Sequence, residues 1–155
     1  HAYHRRQRQM CIRDSNTRTP FTDIAKRLLI SPGTVHVRVK KMEDLGIIKG
    51  SSLTLDYKML GYNFIAYVGV LIDRSRRTYE IIEELKKKPY ITVAHITTGK
   101  YNIFCKIRAK STEHAREIIF SIDDVEGVLR TETMISLEES INDKKRLMKN
   151  IFQEL

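Results

Sequence analysis

Basic and short polar side chains cluster in one stretch of the chain, where they could bind a polyanion. Thr34, His36 and Val37 are followed by Lys40 and Lys41, and all five fall off the apolar stripe of their segment. Short polar groups near a helix start, with lysines further along, suit a helix that enters the major groove of DNA. The alternative is a solvated helix face that binds nothing. For His36, the alternatives are a donor to a base or phosphate and a histidine that merely faces solvent.

The charge distribution points to a polyanion partner for the first third of the chain only. The 155 residues carry 28 Lys and Arg against 19 Asp and Glu, a formal net charge of +9. Residues 1–55 hold eleven basic and four acidic side chains, whereas residues 56–155 hold seventeen and fifteen. A charge excess that only keeps the protein in solution explains the same figures, so charge alone does not decide between the two.

Other classes of chemistry lack their sequence signatures. We find no nucleophile–base–orienter set, phosphate loop or catalytic pair of carboxylates, so neither an enzyme nor any catalytic residue is expected. The five histidines lack metal-ligand spacing, and no metal or other cofactor is expected. Cys11 and Cys105 form no CxxC motif, which favours a reducing cytoplasm. The apolar runs are much shorter than the ~20 residues that span a bilayer, and no secretion signal is recognised, so no membrane association is expected.

Two helices joined by a short connection are predicted to present the basic stretch. Thr19-Pro20 and Ser31-Pro32 each place a hydroxyl residue before a proline, a pattern typical of a capped helix start. Only Leu29 and Ile30 separate the first helix from the second cap, so the helices must cross steeply. The apolar positions with helical spacing are Ile24, Ala25 and Leu28 in the first helix, and Val35, Val39, Met42 and Leu45 in the second. This pattern predicts a helix-turn-helix.

A wing is predicted directly after the second helix. Gly46 stands where a left-handed helix end is expected. Apolar-rich runs flank Gly50-Ser51-Ser52 within residues 47–55, which predicts a small hairpin. Residues 1–55 are therefore interpreted as a winged helix-turn-helix domain, and residues 56–61 as a linker.

The remainder of the chain is predicted to alternate strands and helices. The predicted strands are 63–73, 91–98, 101–109 and 128–137, and the predicted helices are 78–88 and 112–122. We expect Ile103, Cys105 and Ile107 to point inward from their strand, and Tyr79 and Ile82, with Leu85 or Lys86, to form the apolar face of the first of these helices. The order β-α-β-β-α-β over 62–141 indicates a ferredoxin-like domain, so the chain is of the α+β class.

One face of the second domain and the segment that follows it are predicted to pack against a partner. Helices lie on one face of a ferredoxin-like sheet, so a partner subunit is the natural cover of the other face. Residues 142–155 predict a C-terminal amphipathic helix, with one stripe formed by Leu147 or Met148, Ile151 or Phe152, and Leu155. Such a helix is expected to pack on another domain or subunit.

Four strings of residues resemble the Lrp/AsnC family of feast/famine transcription regulators. They are RTPFTDIAKRL over 18–28, ISPGTVHVRVKKME over 30–43, GII over 46–48 and TTGKYN over 97–102. The resemblance runs from about residue 16 to the end of the chain. It implies a winged helix-turn-helix followed by a ferredoxin-like ligand-binding domain of the RAM type. It also implies a homodimer that assembles to an octamer, and a small effector such as an amino acid.

The resemblance also implies which residues bind DNA and effector. The recognition helix would be 31–45, and the residues implied to contact double-stranded DNA are Ser31, Thr34, His36, Val37, Arg38, Lys40 and Lys41, with Lys49 and Ser51 added by the wing. The residues implied to bind effector are Gly99, Lys100, Tyr101 and Asn102 in one turn, with Thr131 and Thr133 on the last strand. Amides of the turn could receive a carboxylate. The alternative for the turn is a plain β-hairpin in which Gly99 serves geometry alone.

Three features depart from the family pattern. Leu29 stands where a glycine is common, and a positive φ there would cost a branched residue about 1 kcal/mol or more. Asn102 stands where many members have aspartate, so it lacks the charge that attracts an ammonium group. Residues 1–15 lack the apolar stripe of the family's first helix. Residues 5–15 also resemble translated sequencing-adapter read-through, so their native origin is left open.

Two functions of different classes are consistent with these residues and motifs. The first is a sequence-specific DNA-binding transcription regulator that a small effector modulates. The alternative is an oligomeric small-molecule sensor or a chromosome-packing protein with weak sequence selectivity. Preference for one DNA sequence over random DNA at fixed salt separates the two.

Overall fold

A computed structural model describes residues 19–50, 55–143 and 146–147 of the chain. These residues form two compact units. One contains the described residues before Leu55 and after Ser140, and the other is Leu55–Ser140. Within the described residues, no helix is long and apolar enough to cross a membrane. Of the predicted C-terminal helix over 142–155, residues 146–147 are helical, and residues 144–145 and 148–155 lie outside the described part.

The first unit contains two helices, α1 (Phe21–Leu28) and α2 (Pro32–Asp44). Their buried core consists of Ile24, Ala25, Val35, Val39 and Met42, with Phe21, Leu28, Ile30 and Ile48 packed against it. The predicted apolar stripes are confirmed except at Leu45. This residue follows the last helical residue and is 63% exposed, because the chain leaves the helix axis before the stripe can continue.

The two predicted helix starts have different outcomes. Ser31 caps α2, since its Oγ accepts from the amide of Thr34 at 3.1 Å. The prediction for Thr19 is wrong, because Pro20 is the N-cap residue of α1 and makes no side-chain cap. Pro20 has an extended ψ of 147°, so the first helical residue is Phe21. A cap by Thr19 would require the helix to begin one residue earlier, at Pro20.

Both helices end with a residue in the left-handed region. Leu29, at φ 53° and ψ 47°, follows α1, and the amide of Ile30 donates to the carbonyl of Ala25 at 3.1 Å. Gly46, at φ 69°, follows α2, and the amide of Ile47 donates to the carbonyl of Met42 at 2.9 Å. These bonds, which span five residues, are the signature of a Schellman helix end. Leu29 therefore has the positive φ that would be costly for a branched residue at this position.

The predicted wing is only partly within the described residues. Residues 47–50 are described and are not a strand, whereas residues 51–54, which include Ser51, lie outside the described part.

The second unit is a four-stranded antiparallel sheet with two helices. Its elements are β1 (Phe64–Ile72), a 3₁₀ turn (Ser75–Arg77), α3 (Thr78–Lys86), β2 (Ile91–Ile96), β3 (Ile103–Ala109), α4 (Thr112–Asp123) and β4 (Val128–Ile135). The strand order is β2-β3-β1-β4, and β1 pairs with β3 and β4 while β2 pairs with β3. This is the predicted ferredoxin-like order. Ser111 caps α4, because its Oγ accepts from the amide of His114 at 3.2 Å.

The alternation of β1 and β3 separates a core face from an open face. Val68, Val70, Ile103, Cys105 and Ile107 are fully buried in one cluster, to which α3 and α4 contribute. The prediction for the inward face of β3 is therefore confirmed. The residues between them in the sequence point to the other face, which no described helix of this unit covers.

The apolar face of α3 differs from the predicted one. Thr78, Ile81 and Leu85 are buried, whereas Tyr79 is 74% exposed and Ile82 is only partly buried. The 3₁₀ turn before α3 explains the shift, since the hydroxyl of Thr78 donates to the carbonyl of Ser75 at 2.6 Å and points Thr78 inward.

The predicted linker, 56–61, lies within the second unit. Asp56 Oδ1 accepts from the amides of Lys58 and Met59 at 2.9 and 3.3 Å. The guanidinium carbon of Arg108 lies 5.2 Å from the ring centroid of Tyr57. The Asp56 bonds hold the turn within the segment, and the Arg108 contact attaches it to the sheet.

Candidate DNA-binding helix and effector turn

Helix α2 buries one face and presents the other to solvent. Val35, Val39 and Met42 anchor it to α1, while Val37, 66% exposed, lies on the outer face with the exposed Lys40 and Lys41. An outer face with an uncovered valine and two lysines offers both an apolar contact and cationic contacts to phosphates.

The start of α2 is held in place by local contacts. Ser31 Oγ and Thr34 Oγ1 form a hydrogen bond of 2.8 Å in addition to the cap. The exposed His36 contacts α1, since its ring centroid lies 5.7 Å from that of Phe21. Each of these residues therefore has a structural role, and Thr34 and His36 still lie at the edge of the exposed face.

Arg38 and Lys49 differ in their surroundings. Arg38 is half-buried, and its Nη1 is buried without a hydrogen-bond partner among the described residues. Lys49 is exposed, just after the end of α2. Ser51, the other residue expected on the wing, is outside the described residues.

The turn between β2 and β3 is pinned to the sheet by its own polar groups. Gly99 has a φ of 100°, which favours glycine. Thr97 closes the turn, because its amide donates to the carbonyl of Asn102 at 3.0 Å and its hydroxyl to the carbonyl of Tyr101 at 2.8 Å. Asn102 Oδ1 accepts from the amide of Ile72 at 3.1 Å. The Asn102 side-chain oxygen thus serves the fold.

Two side chains of this turn reach β4. Lys100 Nζ lies 2.6 Å from Glu132 Oε2, and the hydroxyl of Tyr101 donates to the same oxygen at 2.7 Å. Arg130 Nη2 donates to Glu132 Oε1 at 2.9 Å. The ring of Tyr101 lies on Gly69, where an added Cβ would come within 2.5 Å of Tyr101 Cδ1. A glycine in β1 therefore makes room for the ring.

These contacts shift the pKa values of Lys100 and Glu132. The hydrogen bond from Lys100 lowers the pKa of Glu132 below its ordinary value, with help from Tyr101 and the nearby cations. The same bond raises the pKa of Lys100. The ionised form of both groups is therefore stabilised at neutral pH.

The structure brings some of the expected effector residues together and separates others. Thr131 pairs with Val70 and Thr133 with Val68, so both point to the helix-covered side, whereas Tyr101 lies on the open side. Glu132, between them, pairs with Gly69 and points to the open side. Sequence reasoning missed Glu132 and Gly69. Alternation along β4 gave the relevant signal, but only the strand register shows that these two residues meet.

The two units define a class of protein by their folds, in which a helix-turn-helix unit precedes a ferredoxin-like unit. Residues 12–49 match the family model described as winged helix-turn-helix DNA-binding. Residues 65–145 match the model of the Lrp/AsnC ligand binding domain. Helices α1 and α2 fall within the first match, and the sheet falls within the second apart from Phe64 at the start of β1.

Individual relatives agree with the family models. The regulatory protein AsnC of Haemophilus influenzae is 32% identical over 136 residues, 87% of this chain and 91% of its own length. The solved structure of Escherichia coli AsnC has a TM-score of 0.87 at 29% identity and covers 90% of this chain and 94% of its own. A transcriptional regulator from Neisseria meningitidis, solved with L-Met, shares the fold at 17% identity, with a TM-score of 0.81 and coverage of 91% and 92%.

The chain belongs to the Lrp/AsnC family, and it is a DNA-binding transcription regulator with an effector-binding domain. The relatives are named as regulatory proteins rather than as enzymes.

Proposed function

We propose that α2 is the recognition helix and that it reads DNA with its exposed face. The observation that carries this proposal is the position of Val37, Lys40 and Lys41 opposite the buried stripe, on a helix whose start is capped by Ser31. A helix fixed by its inner face can enter the major groove without losing its packing.

The exposed residues divide into two roles. Lys40, Lys41 and Lys49 neutralise phosphates and supply affinity that falls with salt. Thr34, His36 and Val37 lie nearer the helix start and contact base edges or a thymine methyl group, which supplies selectivity. Ser31 positions the helix and offers a hydroxyl to the backbone. Arg38 and Ser51 complete the proposed set.

The two roles make different predictions for variants. Lys41→Ala is expected to weaken binding to all sequences alike and to reduce the salt slope by about one counterion. Val37→Ala is expected to lower the preference for a target sequence by about 1 kcal/mol while leaving the salt slope unchanged. Lys87→Ala, a matched lysine on the second unit, serves as the control for charge. Equal loss of selectivity in the Lys41 and Val37 variants would contradict this division.

We further propose that the turn at Gly99, Lys100, Tyr101 and Asn102 receives the carboxylate of an amino acid. Lys100 supplies the cation, the Tyr101 hydroxyl supplies a donor, and Gly99 and Asn102 set the conformation of the turn. A transcriptional regulator of the same fold has been solved with L-Met, which supports an amino acid as the class of effector. Thr131 and Thr133 lie on β4 beside Glu132 but point to the helix-covered side. We therefore propose no direct contact between them and the effector.

The open face of the sheet supports assembly through a second copy of the chain. Tyr67 and Phe104 stack there with centroids 5.8 Å apart, and Met134 is 44% exposed beside them. An apolar face that no described helix of its own unit covers is a natural dimer interface. We propose a homodimer formed through this face that assembles further to an octamer.

The domain boundaries follow the same logic. We propose that the winged helix-turn-helix ends near residue 55 and that the segment 56–61 connects it to the ferredoxin-like domain over 62–141. The C-terminal helix over 142–155 follows that domain.

We also propose a cytoplasmic location, because a regulator of transcription acts where the DNA is. No catalytic role is part of the proposal.

A further inference from the structure

Three donors at the end of the open face converge on one carboxylate. Lys100, Tyr101 and Arg130 all bind Glu132, at 2.6, 2.7 and 2.9 Å, and together they engage both of its oxygens. An ammonium, a hydroxyl and a guanidinium form a set that binds carboxylates in general. Two cations and one anion also leave this cluster with a net positive charge.

We propose that these three donors form an exchangeable carboxylate site, which Glu132 occupies in the free chain and which the effector carboxylate takes by displacing it. The proposal rests on the proposed role of the turn in effector binding. Glu132 is then a tethered competitor that sets how much effector is needed.

The exposure of the cluster allows such an exchange. The side chains of Lys100 and Arg130 are 59% and 62% exposed, and that of Glu132 is 32% exposed. A ligand can therefore reach the cations without unfolding of the sheet. Exposed ion pairs are also weak, so the displacement of Glu132 costs little.

The Tyr101 hydroxyl keeps its place when Glu132 leaves. Its ring lies against Gly69 and has its centroid 6.1 Å from that of Phe104. These contacts do not involve Glu132. The Tyr101 donor is thus preorganised for an incoming carboxylate, which reduces the cost of binding.

Displacement also has a structural consequence. Lys100 and Tyr101 lie on the turn between β2 and β3, whereas Glu132 lies on β4, the opposite edge of the sheet. The bonds to Glu132 join the turn to that edge. A carboxylate that replaces Glu132 breaks this connection while it keeps the turn ordered, so the competitor couples ligand binding to a change at β4.

The first test uses acetate, a small carboxylate without other polar groups, and does not require the effector to be known. The unfolding midpoint of full-length Glu132→Ala is followed as acetate replaces chloride at constant ionic strength. A midpoint that rises and saturates with acetate is expected for Glu132→Ala, whereas the native chain should need a severalfold higher acetate concentration for the same rise, because Glu132 competes for the site. Glu83→Ala, which removes a carboxylate from an ion pair with Lys86 at 2.6 Å, is the matched control and should behave like the native chain. An unsaturable response of Glu132→Ala that equals the control overturns the proposal.

The second test measures the effect on regulation. Each of the twenty L-amino acids is titrated against the DNA complexes of the native chain and of Glu132→Gln, which keeps the side-chain shape but loses the charge. The half-effective concentration of a responding amino acid is expected to fall by about two- to fivefold in the variant, since a weakly bound tethered competitor is removed. An unchanged value overturns the competition and leaves the regulatory function in place. If no amino acid affects the native complex, the effector class proposed above is wrong. The acetate titration then still decides whether an external carboxylate can bind the three donors in place of Glu132.

Discussion

Leu29→Gly is expected to stabilise the DNA-binding unit although it removes a large side chain. Leu29 has left-handed backbone angles, φ 53° and ψ 47°, and is 92% exposed. The substitution therefore loses almost no buried apolar surface. It relieves the clash between Cβ and the carbonyl that makes this conformation unfavourable for residues other than glycine.

The magnitude follows from two opposing terms. A left-handed residue with a Cβ costs about 1–2 kcal/mol. Glycine offsets about 0.5–1 kcal/mol of this gain, because it has more conformational freedom in the unfolded chain and loses more of it on folding. The net gain in the free energy of unfolding is therefore about 0.5–1 kcal/mol. The bond from the amide of Ile30 to the carbonyl of Ala25 is retained, since it involves main-chain atoms only.

Hydrogen exchange of the buried α2 amides, at Val35 and Val39, measures this gain in the full-length chain. A net gain of this size slows exchange by about two- to fivefold. Leu29→Ala is the control, because it removes the same side chain but keeps Cβ. Equal slowing in the alanine variant, or faster exchange in the glycine variant, would refute the assignment of strain to the backbone of residue 29.

Four further predictions follow from single contacts. Ser31→Ala removes the cap of α2 and is expected to cost about 1 kcal/mol, measured as faster exchange of the α2 amides; unchanged exchange would mean that the cap is dispensable. Gly69→Ala places a Cβ within 2.5 Å of Tyr101 and is expected to cost about 1–3 kcal/mol in urea unfolding; Tyr101→Ala in the same chain should recover part of the loss. The lowered pKa of Glu132 contributes stability that is present above its ordinary pKa and is lost as the pH falls through the lowered value. The stability of the native chain should therefore drop more than that of Glu132→Gln between pH 7 and acid pH, and parallel curves would contradict this. Burial raises the pKa of Cys105 to about 11, so peptide mapping after iodoacetamide at pH 8 should find it unmodified unless urea is added; rapid native labelling would show that the thiol is not buried.

Patterns that act within a few residues were readable from the sequence. Alternation along β3 predicted the buried positions at Ile103, Cys105 and Ile107, because side chains of a strand point to opposite faces in turn. The spacing of Val35 and Val39 predicted the inner face of α2 for the corresponding reason in helices. These patterns also predicted the order of elements, and the fold follows from that order.

Errors arose where the exact start or end of an element decides which way a side chain points. Pro20 rather than Thr19 precedes the first helical residue, and a 3₁₀ turn before Thr78 rotates the next helix so that Tyr79 faces solvent. Leu45 keeps the helical spacing but follows the end of α2. Periodicity does not fix element ends, so it could not anticipate these cases.

The effector turn shows a different limit. The turn itself was readable, since Gly99 and its neighbours lie between two strand patterns. The partner of Lys100 and Tyr101 was not, because Glu132 lies more than thirty residues further along the chain. The register of β4 against β1 places Glu132 opposite Gly69. Such a long-range pairing follows from the packed sheet rather than from any local pattern.

The most direct test of the regulatory function is a fluorescence anisotropy titration of the full-length chain. The DNA upstream of its own gene is compared with a shuffled sequence of equal length, at two salt concentrations and with or without a mixture of the twenty L-amino acids. Tighter binding to the upstream DNA at both salts, with an affinity that the mixture changes, is the expected result. Equal affinity for both sequences together with no response to the mixture would contradict an effector-tuned regulator and would instead favour unselective DNA packing.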